Sequence, residues 1–161
     1  MSTAERAECI NTIEAFPAQL RALVDGLSDE QLSTRHLTDE WPVDGIVHHM
    51  ADSHMNSFIR LMLILSEKKP TLKPYDQDAW WEITNALDVE PTVAVADSLR
   101  LLEGLHRRWV RVFRGLNEAQ WERSGYHPEI GLVTVDDLAQ MYDEHCRDHL
   151  AQVERVLAAM G

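Results

Sequence analysis

Cysteine is scarce in this 161-residue chain: only Cys9 and Cys146 occur, too few for the disulfide framework of small secreted domains. A single bridge between them stays open. Long hydrophobic runs are missing as well. The longest, LMLIL at 61–65, falls far short of the roughly 20 apolar residues that cross a bilayer. Positive charge is in deficit, with 15 Lys plus Arg against 27 Asp plus Glu and a formal net charge of −12. That balance argues against a nucleic-acid or anionic-membrane partner, whose phosphates are recognised by clustered cations. It leaves room for a small anionic substrate in a locally positive or metal-containing pocket. The opening MSTAERAECINT has no basic flank followed by an apolar stretch, so a reducing cytoplasm is the expected location. No Gly-rich phosphate loop, no Ser or Cys in a nucleophile motif, no repeat and no low-complexity tract is present. Nothing alternates as a sheet would.

What the chain does have is helical periodicity, in four long segments. The first runs from about Thr3 to Gly26 on Ile10, Ile13, Leu20 and Leu23, with a kink or break expected near Phe16 because Pro17 falls inside it. SDEQL at 28–32 reads as a Ser-capped turn of helix. The second long helix starts near Val43 or Asp44 and reaches Ser66. The connection 67–90 is long and holds PTLKPYDQDAWW, and DQDAWWEITNAL within it could form a short helix. The third follows Pro91, and the fourth opens on a capping box at Thr134. Residues 117–133 are too turn-rich for a long helix. The fold class is therefore all-α: a four-helix bundle in one domain over residues 1–161, with a decorated crossover between its second and third helices.

Five of the eight histidines crowd into HHMADSH (48–54) and EHCRDH (144–149). His145 and His149, four residues apart, lie on one side of a helix and on its apolar stripe. Two interior imidazoles need partners, which a divalent metal or neighbouring hydrogen-bonding groups would equally supply. From the second helix, His49 is the candidate third ligand, while His48 and His54 point elsewhere and are expected to face solvent. Asp52 is close enough in sequence to ligate or to orient an imidazole. Three protein ligands leave a coordination position open, as in catalytic rather than structural zinc sites. Cys146 points away from the pair and reads as packing. Tyr75, Trp80 and His127 fall in the two atypical connections and are candidates for the surroundings of the open face.

The combination of WPVDGIVHHMADSHMNSFIR (41–60), PTLKPYDQDAW (70–80), LHRRW (105–109), GYHPE (125–129) and EHCRDHLAQV (144–153) resembles the DinB/YfiT family, in its YfiT-type branch. The resemblance implies a four-helix bundle of unusual connectivity with one divalent metal, Zn or Ni, on three histidines, here His49, His145 and His149. It also implies a homodimer and an enzyme. The activity it suggests first is transfer of a low-molecular-weight thiol of the bacillithiol type to an electrophilic small molecule. In that reading Asp52 orients a ligand and Arg60 or His127 holds an anionic thiol. A metal-dependent hydrolase acting on an amide or ester, or a non-enzymatic metal- or ligand-binding stress protein, are the alternatives. The chain departs from the histidine-rich version of the last motif at Asp148 and Gln152, which bears on the surroundings of the metal rather than on the triad.

Overall fold

The computed structural model describes residues 1–161. Helix α1 (Thr3–Val24) begins at a reciprocal capping box, in which the Ser2 hydroxyl accepts the Glu5 N–H and the Glu5 carboxylate accepts that of Ser2. It runs through Pro17 without the expected break. A proline removes one N–H, so the Ile13 carbonyl four residues back loses its helical donor. Two things offset that loss: Phe16 and Leu20 beside the proline are fully buried, and the His106 ring supplies a replacement N–H to Ile13, at 2.5 Å.

After the Ser28-capped α2 (Asp29–Ser33), Trp41–Pro42 leads into α3 (Val43–Ser66), whose bounds match the expectation. The crossover carries α4 (Gln77–Asn85), capped by the Asp76 carboxylate on the Ala79 N–H at 3.0 Å. Then follow α5 (Pro91–Arg114), the single turn α6 (Glu118–Trp121), strands β1 (Ser124–His127) and β2 (Gly131–Thr134), and α7 (Val135–Ala158). The bundle consists of α1, α3, α5 and α7. Helix α1 packs on α7 and α5, and α3 packs on the same two, so the ring order is α1–α7–α3–α5. One continuous core fills it, centred on Trp109, Phe16, Phe113 and Met50. No helix is long and apolar enough to cross a membrane.

The hairpin corrects the expectation of no strand. Strands of four residues offer only two inward positions each, too few to register as alternation. Ser124 pairs with Thr134 and Tyr126 with Leu132, antiparallel. The crossover joins this hairpin: the Tyr126 N–H donates to the Pro70 carbonyl at 2.9 Å, and the Leu72 N–H donates to the Tyr126 carbonyl at 2.8 Å. Gly125 permits that approach, since a Cβ there would lie 2.9 Å from the Leu72 side chain and 3.1 Å from the Pro70 carbonyl. At the other end of the crossover, the Trp81 indole lies against Gly45 of α3, where a Cβ would come within 3.1 Å of it, and stacks on Trp41. These contacts dock the crossover over α3, beside the histidines. Cys9 and Cys146 are both free and buried, which removes the possible bridge.

Candidate metal centre

Helix α3 contributes His49 and α7 contributes His145 and His149 from consecutive turns, and one ligand atom from each lies within 4.8 Å of the others. The ring centroids are 4.4 Å apart within the α7 pair and 5.0 and 5.4 Å from His49 to His149 and His145. Every Nδ1 of the three has a partner. His149 Nδ1 is 2.6 Å from Gln152 Oε1, His145 Nδ1 is 3.2 Å from His54 Nε2, and His49 Nδ1 is 3.4 Å from the Tyr75 hydroxyl. The three Nε2 atoms are therefore the ones left to ligate. At His149 the polarity follows from its surroundings: the Gln152 amide N–H donates to Glu40, whose carboxylate only accepts and is also held by Arg155. That fixes Oε1 toward His149, which must donate through Nδ1–H and keep its lone pair on Nε2. Glu40 stays charged, held below the usual carboxylate range by Gln152 first and Arg155 second.

Burial keeps the imidazoles neutral. It pushes His49 down to about 4 and His145 to about 2, each aided by the neighbouring triad rings, and lowers His149 against the opposing pull of Gln152. Three neutral, preoriented nitrogens with no carboxylate among them fit a borderline-soft divalent ion such as zinc or nickel. The site opens on a cavity of about 450 Å³ lined also by Asp39, Trp41, Arg60, Tyr75 and Gln77. An ion held by the triad would therefore have a position accessible to a small molecule.

The other sequence candidates divide. Tyr75 lines this cavity, and Trp80 lies against Tyr75, at 4.9 Å between ring centroids, in the adjoining one. Arg60 borders both and donates to the Lys73 carbonyl at 2.8 Å. His127 is buried in the hairpin, where its Nδ1 accepts the Glu129 N–H, and does not reach the triad cavity. Asp52 makes no hydrogen bond to a triad histidine; the partner of His49 is Tyr75. Cys146 is fully buried packing, its thiol pushed up by burial.

His48 and His54 correct the expectation of solvent exposure. His48 is half-buried, bonded through Nδ1 to the Ser98 hydroxyl at 2.8 Å and stacked on Trp81. His54 is fully buried between His106 and His145. His106 stands in the sequence only within LHRRW and Gln152 only where the late motif departs from its histidine-rich version, and neither is expected behind a triad ring. A usable signal existed for Gln152, three residues after His149 on the same helix face.

The DinB superfamily model matches residues 12–153. The chain is 36% identical over 162 residues to "Putative metal-dependent hydrolase YfiT" of Bacillus subtilis, covering 100% of this chain and 89% of that protein. It is 38% identical over 146 residues to "Putative metal-dependent hydrolase OB0782" of Oceanobacillus iheyensis, covering 91% and 82%. A solved structure of the Bacillus subtilis YfiT, described as a probable metal-dependent hydrolase with an unusual four-helix bundle topology, superposes with a TM-score of 0.90 at 36% identity, over 100% of this chain and 90% of that one. A mycothiol-dependent maleylpyruvate isomerase shares the fold at 13% identity, with a TM-score of 0.70 over 95% of this chain and 63% of that one. Sequence, fold and length of match agree: the chain belongs to the DinB superfamily, in the company of its YfiT-type members.

Proposed function

We propose that this chain is a metal-dependent hydrolase of small amides or esters, with a divalent ion, Zn or Ni, held by Nε2 of His49, His145 and His149. The observation that carries the reading is the convergence of three ligand atoms within 4.8 Å while each Nδ1 is engaged elsewhere. The names of the Bacillus and Oceanobacillus relatives support the hydrolytic class. When bound, such an ion supplies Lewis acidity and an acidified water at neutral pH. The chain's own residues supply the rest. Asp39 is the carboxylate and Arg60 the cation lining the cavity, so its wall offers one group that could accept a proton and one that could hold an anionic part of the substrate. Tyr75 and Trp41 narrow the cavity against bulk water.

Thiol transfer remains the second reading because Arg60 joins the metal cavity to a neighbouring one containing Lys73. In a chain of net charge −12, that pair suits an anionic thiol. A purely sequestering protein would close the site with a fourth protein ligand, and the cluster of possible ligands consists of the triad alone.

The deciding experiment loads the protein with zinc or nickel and compares hydrolysis of an amide and ester panel with conjugation of low-molecular-weight thiols to a generic electrophile. Hydrolysis that disappears in His149→Ala supports the proposal. Conjugation without hydrolysis transfers the assignment to the second reading. Neither activity, with tight metal binding, leaves a binding protein.

A further inference from the structure

The hydrogen bonds behind His145 run in one direction only. They begin at the Ile13 carbonyl, which Pro17 deprives of its helical donor and which can only accept. His106 Nδ1, 2.5 Å away, must therefore carry the proton, leaving Nε2 as the acceptor of a neutral ring. His54 Nδ1 sits 2.7 Å from that Nε2 and must donate to it. His54 Nε2 is then an acceptor in turn, and His145 Nδ1, at 3.2 Å, is its donor. The rings of Phe16, Trp109 and Tyr142 surround His54, and Phe16 and Trp109 also flank His106, an environment that favours uncharged imidazole. Reversing any one bond would require either the carbonyl to donate or one of these enclosed rings to carry a positive charge.

We propose that His54 and His106 are positioning residues for the metal centre. They form a one-way relay, anchored at the carbonyl freed by Pro17, that fixes the tautomer and ring plane of His145 so that its lone pair lies on Nε2. The inference rests on the reading of His145 as a metal ligand. The relay itself is a property of the metal-free chain, so the two can fail separately. Outer partners of ligating histidines act in this way on metal affinity, typically by 10- to 100-fold. Here the partner is a second histidine held by a third, and the far end is a backbone irregularity in another helix.

Two measurements test it. In ¹⁵N-histidine-labelled protein, long-range ¹H–¹⁵N correlation spectra read each tautomer directly. His54, His106 and His145 are expected as Nδ1–H in the metal-free protein at neutral pH, with His54 and His106 unchanged on zinc loading. An Nε2–H tautomer or a charged ring at His54 or His106 overturns the relay. This measurement needs no variant, so it stands whether or not the substituted proteins fold.

The second measurement compares zinc dissociation constants by chelator competition. His54→Phe keeps an aromatic ring but neither hydrogen bond, and is expected to bind zinc at least tenfold more weakly. In His54→Gln the amide accepts from His145 and donates toward His106, so it should recover most of that loss. Equal affinities for the Phe and Gln variants, or a Phe variant within twofold of the parent, would show that position 54 fills space and no more. Loss of zinc binding in the parent protein, with the Nδ1–H tautomers intact, would instead overturn the metal-site reading and leave the relay standing as a structural element.

Discussion

Gln152 orients the His149 ring through a polarity set one contact further out, at Glu40. Arg155 and the Gln152 amide meet on the Glu40 carboxylate, and the amide oxygen is thereby turned to His149 Nδ1. Gln152→Leu removes the acceptor while keeping similar bulk, and should raise the zinc dissociation constant about tenfold, measured by chelator competition. His149→Ala, which removes a ligand outright, should exceed that loss by a further order of magnitude or more. At this scale the sequence was legible where a single helix sets geometry: the four-residue spacing of His145 and His149 suffices to place them together. It was not legible for His54. His54 flanks the apolar stripe of α3, four residues after Met50 and four before Phe58, and it is the packing of both α5 and α7 on α3 that buries this flank.

Among elements, the starts of α3, α5 and α7 were readable to within a residue or two, from the apolar spacing, the first-turn Pro91 of α5 and the Thr134 capping box of α7. Pro17 does not break α1, since the donor that serves the Ile13 carbonyl comes from α5 and leaves no local trace in the sequence. The hairpin escaped because its strands are only four residues long and β1 makes further hydrogen bonds with the distant crossover, at Tyr126. Gly125→Ala tests that dependence. The added methyl meets Leu72 at 2.9 Å, an overpacking worth roughly 1–3 kcal/mol. A thermal midpoint lowered by about 2–10 °C in calorimetry is expected, with zinc affinity unchanged because β1 contributes nothing to the triad. Restoration by a smaller residue at 72, as in Gly125→Ala with Leu72→Val, would locate the clash.

For the molecule as a whole, buried titratable groups pull in opposite directions with pH. His49 and His106 sit near 4 when folded against about 6.5 when unfolded, so the unfolded chain binds more protons between those values. Their contribution is present above pH 6.5 and is lost as pH falls toward 4. Asp44 and Asp52, raised by burial to about 6, act with the other sign: the folded chain holds the extra protons between about 4 and 6. Acidifying the metal-free protein from pH 7 to 4.5 should lower its thermal midpoint, and Asp44→Asn, which removes one opposing group, should make that fall steeper. A fall no steeper in Asp44→Asn than in the parent would contradict the sign assigned to Asp44.

Helix α4 buries none of its residues, and Ile83, Leu87 and Val89 near its end are 65%, 61% and 49% exposed. Gln77 lines the triad cavity, and Trp80 and Trp81 line the two cavities beside α3, so a helix without a buried residue walls three cavities and belongs to the least protected part of the molecule. Backbone amides of residues 77–85 should exchange with deuterium orders of magnitude faster than those of α3 and α7, by local opening that leaves the histidines in place. Gln77, the first residue of α4, lines the triad cavity, so such an opening shifts one part of that cavity's wall while the histidines stay in place.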